Sequence, residues 1–335
     1  MRVQDSHQRL VVVSEAFSLR TPRVYAAVVA ATLVTIALGR WGPALDGSVA
    51  VVILFGAVTV TGIPHGAIDH LVAARLYDLR FTWRDQTKFY GGYLALMAAY
   101  GALWPIVPAG CLTAFLAMTM YHFGQADLAY WELAPGPARL VYLSRGLFLI
   151  GLPIAAFPGI VAPIFEAIGG VHLLDWALVT TYQTATLIGL VGQHVGGLAV
   201  AAWLADVAPW QAAREALTVG LLAALFGTVH PLVAFAVYFA LWHSLGHILE
   251  LIRFFRRRGE DMSIASFYRS AALFTGLSFV LLGALYVGLQ AIGDRQEMIA
   301  LLFILIAVMT LPHMIIVERM YRQRERRGQT ASRLH

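Results

Sequence analysis

Apolar segments long enough to cross a lipid bilayer recur along almost the whole chain, and they limit its fold more than any other feature. Between short charged patches run segments of about 17–25 apolar residues, and a helix of this length spans the roughly 30 Å hydrocarbon core of a bilayer. Only 13% of the residues are charged, against roughly 25% in soluble domains. The sequence therefore predicts an all-α, polytopic bundle of transmembrane helices.

Ten spans are predicted, and together they form a single membrane domain. We expect residues 1–23 to be a cytoplasmic N-terminal segment without a cleavable signal peptide, since they contain no apolar core. Residues 24–318 are then one transmembrane domain that contains any catalytic site, and residues 319–335 are a basic cytoplasmic tail. The spans cover approximately 24–43, 47–65, 89–107, 110–129, 139–158, 177–203, 212–229, 231–253, 270–291 and 297–318. Short turns join several of them, whereas 159–176 is a longer outer link.

The positions of the basic residues predict the orientation, because Lys and Arg collect in the cytoplasmic loops of membrane proteins. If the ten spans alternate from a cytoplasmic N-terminus, all 24 Lys and Arg residues except Arg40 and Arg295 lie on the cytoplasmic side. We therefore expect both termini in the cytoplasm and a multi-pass location in the cell (cytoplasmic) membrane. The net charge of +5 then reflects topology, so the expected partner is the lipid bilayer and not a nucleic acid.

Histidines in the predicted spans are the main candidates for a functional site. A charged side chain inside a membrane costs about 2.5–3.5 kcal/mol, and such residues usually have a function. The histidines in or beside predicted spans are His65, His70, His122, His194, His243, His247 and His313. With His70 set aside, they all fall at predicted depths in the cytoplasmic half of the membrane. A common depth is what a single intramembrane site requires.

The segment WHSLGH contains the strongest local metal-binding pattern. His243 and His247 are four residues apart, so on a helix they share a face with about 6 Å between their Cβ atoms. This spacing allows two imidazoles to bind one metal. The alternative interpretation is that both are core histidines that donate hydrogen bonds to carbonyls. Ser244 stands where the HExxH motif of a zinc protease has its glutamate, so the segment does not match that motif. Cys111 is the single cysteine, so the chain cannot form a thiolate metal site. Imidazole ligands suit iron, copper, zinc or nickel.

Two further motifs place a histidine near a carboxylate. PHGAID contains His65 four residues before Asp69, and YHFGQAD contains His122 and Asp127. A carboxylate near a metal-bound histidine commonly accepts the other ring N–H and so fixes the tautomer. We expect Asp69 and Asp127 to have this supporting role. A helix cap or an interfacial polar residue is the alternative interpretation of each.

Taken together, GIPHGAIDH, YHFGQAD and WHSLGH resemble the motifs of the Brp/Blh family of membrane β-carotene 15,15′-dioxygenases, from about residue 60 to 320. The resemblance implies an Fe(II) site formed by His65, His122, His243 and His247. It also implies that β-carotene is cleaved by O₂ at its central double bond into two molecules of all-trans-retinal. No catalytic residue beyond the metal ligands is expected. His194 and His313 match no motif of the family.

The implied substrate is a hydrocarbon that dissolves in the bilayer, so it would enter the protein from the lipid. Aromatic residues beside the motifs are candidates to line a substrate tunnel, with plain helix packing as the alternative: Phe123, Phe235, Phe239 and Trp242. The resemblance further implies a rhodopsin that takes up the retinal as a downstream partner.

Other functions remain open at this stage. A non-catalytic protein that handles carotenoid or retinal for a rhodopsin would bind pigment without forming retinal. A haem-binding membrane protein would use histidines on facing helices as axial ligands. A membrane di-iron desaturase is disfavoured, because the sequence has HxxxH but no HxxHH box.

Overall fold

The computed structural model describes residues 21–42, 45–80, 82–131, 133–169, 173–205, 207–291 and 297–332, with side chains as far as Gln323. Within these ranges the chain is helical and contains no strand, which confirms the all-α prediction. Several residues of the sequence lie outside the described residues: most of the predicted N-terminal segment 1–23, which includes His7, the outer residue Arg295, and His172 and His335. In chain order the helices are α1 (Pro22–Trp41), α2 (Gly47–Ala57), α3 (Ile63–Ala67), α4 (Asp69–Leu76), α5 (Trp83–Leu103), α6 (Pro108–Leu128), α7 (Pro135–Ala156), α8 (Pro158–Gly169), α9 (Trp176–Thr181), α10 (Gln183–Leu204), α11 (Pro209–Thr228), α12 (Pro231–Val237), α13 (Leu245–Arg256), α14 (Ile264–Ala291) and α15 (Met298–Ser332).

Among the described residues, seven helical segments are long and apolar enough to cross a membrane, which identifies a multi-pass membrane protein. They are Pro22–Trp41, Gly47–Leu76, Pro135–Ala156, Gln183–Leu204, Pro231–Arg256, Ile264–Ala291 and Met298–Gln323. The other three predicted spans correspond to α5, α6 and α11, which have 21, 21 and 20 residues. At 1.5 Å per residue these helices are also about 30 Å long, but their composition is less apolar. The count of ten spans and the cytoplasmic termini therefore stay predictions.

The predicted outer link 159–176 is partly helical, and its position outside the membrane stays a prediction. α8 occupies Pro158–Gly169 and buries Val161, Phe165 and Ile168. Pro158 is the first residue of this helix, a position where the missing backbone N–H would have no partner within the helix. The buried apolar residues of α8 recur at the three- and four-residue spacing of a packed helix face.

The chain divides into two compact units. Unit 1 comprises residues up to Ile68 together with Leu217–Leu277. In this unit the helical run that begins with α2 widens into a π-helical turn over Val58–Gly62, and the run that begins with α12 widens into a second one over Tyr238–Ser244. A π-helical turn is rare and frequently found at functional sites. The two turns pack against each other. The first ends three residues before His65, and the second contains His243.

Unit 2 comprises Asp69–Ala216 and Ser278–His335. Its central contact is between α6 and α7, whose backbones approach very closely at two glycines. A Cβ at Gly124 would collide with the Tyr142 carbonyl, and one at Gly146 would collide with the Met120 carbonyl. Small residues at such crossings allow membrane helices to pack backbone to backbone. This close packing fixes the side of α6 that carries His122.

Candidate metal centre

Three histidines of unit 1 converge in its interior: His65 from α3, His243 from the second π-helical turn and His247 from α13. They are 8%, 1% and 2% exposed. The ring centroid of His65 lies 5.3 Å from that of His243 and 5.5 Å from that of His247. One ring nitrogen of His65 is within 4.8 Å of one of His243. Since metal–imidazole bonds are about 2.0–2.1 Å long, two ligands of one ion lie up to about 4 Å apart, close to this separation.

The backbone of unit 1 positions these rings through one close contact. A Cβ at Gly62 would lie 2.6 Å from Cε1 of Phe239, so only glycine allows the two π-helical turns to approach this closely. Phe239 stacks on His243 with 5.7 Å between centroids and 11° between planes, and Phe235 stacks on Phe239 at 5.4 Å. His65 meets the edge of Phe239 at 6.0 Å. The histidine cluster therefore has an aromatic wall along one side.

The aromatic residues predicted for a tunnel occupy different surroundings. Phe235 and Phe239 stand in the column beside His243. Trp242 faces α1 instead, where its Nε1 donates a hydrogen bond to Thr32 Oγ1 at 3.0 Å. In unit 2, Phe123 is buried beside His122, with 6.2 Å between ring centroids. The tunnel itself stays a prediction.

In unit 2, His122 lies next to a histidine that the motifs had not indicated. The rings of His122 and His313 are perpendicular, with 5.2 Å between centroids, and both residues are buried. Nδ1 of His313 lies 3.0 Å from each carboxylate oxygen of Asp69. The Tyr93 hydroxyl donates a further hydrogen bond to Asp69 Oδ2 at 3.0 Å. Asp69 thus contacts His313, 244 positions later in the chain, and its role beside a metal-bound histidine stays a prediction.

The second predicted carboxylate, Asp127, belongs to a buried ionic group around Arg145. Arg145 is 1% exposed, and its Nε donates to Asp127 Oδ2 at 2.9 Å while its Nη1 pairs with Glu215 Oε1 at 2.9 Å. The same Nη1 lies 3.3 Å from Nε2 of His194. By sequence Arg145 is one of the basic residues of the predicted cytoplasmic side, whereas in the structure it is buried in the middle of α7. The role of Asp127 beside a metal-bound histidine stays a prediction.

The donor set of unit 1 fits a transition metal. Three buried imidazoles on two packed helical runs are borderline ligands that suit iron, copper, zinc or nickel, and a buried imidazole needs a partner for its ring nitrogens. The one cysteine, Cys111, is buried among apolar residues of unit 2 and belongs to no part of this cluster. Ser244 follows His243 at the position where a zinc protease has the glutamate that serves as its base.

Comparison with known proteins agrees with this chemistry. The family model described as beta-carotene 15,15′-dioxygenase matches residues 56–321. This range contains the buried histidines His65, His122, His194, His243, His247 and His313. A protein of Halobacterium salinarum named probable beta-carotene 15,15′-dioxygenase Blh is 30% identical over 299 residues, which are 80% of this chain and 84% of that protein. A protein of an uncultured marine bacterium, 66A03, named beta-carotene 15,15′-dioxygenase is 24% identical over 287 residues, which are 79% of this chain and 92% of that protein. No solved structure matches the chain.

Proposed function

This chain belongs to the beta-carotene 15,15′-dioxygenase family, and we propose that it cleaves β-carotene with O₂ at the central 15,15′ double bond. The observation that carries the proposal is the buried cluster of His65, His243 and His247. β-Carotene is a hydrocarbon, so it has no carbonyl, heteroatom or leaving group on which a side chain could act. Chemistry at its double bond therefore needs an activator of O₂, and a buried set of imidazoles is suited to hold one.

We propose Fe(II) as this activator, with His65, His243 and His247 as ligands and His122 as the fourth. His122 enters the set through its motif, YHFGQAD, and through its burial. Bound iron would supply Lewis-acid and redox activation of O₂. Four neutral imidazoles leave the charge of the ion uncompensated, which favours a small oxidant or an anion as an additional ligand.

The side chains around the histidine cluster position its rings and exclude water from the site. Gly62 and Phe239 fix the two π-helical turns against each other, so the rings of His65 and His243 keep their relative place. The stacked rings of Phe235 and Phe239 present an apolar surface, which suits contact with a polyene. A dry site also protects the cleavage reaction from competing hydration and proton leakage. These are contributions of binding and geometry, and we assign no proton transfer to any side chain.

The overall reaction is balanced without an external reductant. The C15–C15′ double bond of β-carotene breaks, the O–O bond of one O₂ breaks, and each carbon gains one oxygen atom as an aldehyde. Both products are all-trans-retinal. The electrons come from the cleaved double bond, so one O₂ and one β-carotene suffice. We place this reaction in the cytoplasmic half of the cell membrane, and we propose a retinal-binding rhodopsin as the protein that consumes the product.

The experiment that tests the function is pigment analysis in a β-carotene-producing bacterium. Cells that express the wild-type chain should lose β-carotene colour and accumulate retinal, whereas the His243→Ala variant should do neither. His230→Ala is the matched control, because His230 lies in the same unit but at the junction of α11 and α12, outside the cluster, and this variant should form retinal as the wild type does. Pigment that stays bound and uncleaved by the wild-type protein would contradict the proposal and indicate a non-catalytic carotenoid- or retinal-handling protein.

A further inference from the structure

We infer that His313 binds the same metal ion as His122 within unit 2, and that Asp69 is the residue that positions His313. The inference rests on the proposed function, because it assumes that unit 2 contributes to a metal centre through His122. It concerns a histidine that no sequence motif indicated.

The first observation is the pairing of the two rings. His122 on α6 and His313 on α15 are 3% and 5% exposed, and their centroids are 5.2 Å apart at an angle of 89°. The 5.3 Å between His65 and His243 in unit 1 is a similar separation, and metal–imidazole bonds of about 2.0–2.1 Å bring two rings on one ion to about this distance. An ion bound by His122 on the side that faces His313 would therefore have the His313 ring within reach.

The second observation is the carboxylate behind His313. Nδ1 of His313 lies 3.0 Å from both oxygens of Asp69, so Nδ1 carries a proton that it donates to the carboxylate. The ring nitrogen that would bind a metal is then Nε2, on the opposite side of the ring. A metal-bound histidine almost always donates its other N–H to a carboxylate, a carbonyl or water. Asp69 and His313 form this arrangement, and the Tyr93 hydroxyl at 3.0 Å holds the carboxylate in place.

The third observation is the charge of Asp69. This carboxylate is 4% exposed, and its hydrogen-bond partners in the described part of the chain are His313 and Tyr93, neither of which is a fixed cation. The other buried carboxylates of unit 2 differ, because Asp127 and Glu215 both pair with Arg145. A buried carboxylate needs a compensating positive charge. A divalent ion on the far side of the His313 ring would supply that charge through the imidazole.

The test compares metal binding by purified full-length variants in detergent. His313→Ala should lower the iron content per chain and change the visible absorption of protein loaded with Co(II) alone, since a ligand is lost. Asp69→Asn keeps the size of the side chain and every ligand, so it should retain a metal site but weaken Co(II) affinity by about 10–100-fold. His194→Ala is the matched control, because His194 is equally buried in unit 2 but bonds to Arg145 and Ser144. This control should keep the wild-type iron content and Co(II) spectrum.

The outcomes separate this inference from the proposed function. If His313→Ala keeps wild-type iron content and an unchanged Co(II) spectrum while His243→Ala loses the metal, the inference is wrong and the proposed function stands. Unchanged Co(II) affinity in Asp69→Asn would overturn the inference as well, even if His313→Ala fails to fold. Wild-type protein that binds neither iron nor Co(II) would overturn both.

Discussion

The imidazole rings of His243 and His247 lie almost parallel, with 6° between their planes and 6.4 Å between their centroids. They belong to different local structures, since His243 lies within the π-helical turn Tyr238–Ser244 and His247 lies in α13. Both rings nevertheless meet His65 edge-on, at 88° and 87°. The His65 ring therefore contacts two parallel rings that come from different local structures.

The first prediction separates two histidines of one motif. His65→Ala should lose iron and retinal formation, because it removes a ring from the unit 1 cluster. His70→Ala should keep both, since His70 lies beside Tyr90 with 6.3 Å between their ring centroids and outside the core of the PHGAID motif. Iron per chain and retinal per hour, measured on both purified variants, check this. Loss of iron in His70→Ala with retention in His65→Ala would reverse the assignment.

The second prediction concerns the close contact at Gly62. In Gly62→Ala the new methyl group must displace Phe239, which stacks on His243, so we expect the free energy of unfolding to fall by about 1–3 kcal/mol and iron retention to fall with it. Gly56→Ala is the matched control, because Gly56 is in the preceding helix and a Cβ there meets nothing within 4 Å. Thermal unfolding in detergent and iron analysis measure both effects. Equal behaviour of the two variants would show that the π-helical turns do not constrain the site.

The third prediction concerns the buried ionic group of unit 2. Arg145→Met removes the cation that faces Asp127 and Glu215, which leaves two carboxylates in an apolar interior. Removing one partner of a buried pair costs about 3–5 kcal/mol, so expression and melting temperature should fall sharply. Adding Asp127→Asn and Glu215→Gln to the same variant should restore much of the stability. A single Arg145→Met variant as stable as the wild type would contradict the structural role assigned to this group.

The fourth prediction distinguishes two of the aromatic residues that are predicted to line a substrate tunnel. Phe235→Ala shortens the aromatic column beside His243, so it should raise the KM for β-carotene while iron content stays the same. Trp242→Phe removes the hydrogen bond to Thr32, so it should cost about 0.5–1.5 kcal/mol of stability without a change in KM. Steady-state kinetics in detergent micelles measure the difference. A raised KM in Trp242→Phe and none in Phe235→Ala would assign the substrate path to the other side of the helix.

Local spacing and hydropathy predicted much of the fold. Long apolar runs gave the helices, and the four-residue spacing of His243 and His247 gave their common orientation, because both signals depend only on neighbours along one helix. The π-helical turns were not foreseen. The two turns meet through a tertiary contact, that of Gly62 with Phe239. Glycine is common in membrane helices, so its presence in the sequence does not predict a π-helical turn.

Contacts between distant segments account for the remaining differences. Asp69 was expected to support a histidine because it follows His65 by four residues, yet its histidine partner is on α15. In the sequence Arg145 cannot be distinguished from the other basic residues of the predicted cytoplasmic side. In the structure it pairs with Asp127 of α6 and Glu215 of α11. For Asp69 the sequence indicated the need for a partner, whereas for Arg145 it indicated only a side of the membrane. Only the packing of helices far apart in the chain determined which partner that is.

The central claim is that histidine-bound iron in this protein cleaves β-carotene, and metal reconstitution tests it most directly. Protein stripped of metal by a chelator should form no retinal from β-carotene and O₂. Titration with Fe(II) alone should then restore retinal formation in proportion to bound iron, up to about one iron per chain, whereas Zn(II) should bind without restoring it. Retinal formation by the stripped protein, or equal recovery with Zn(II), would contradict the account.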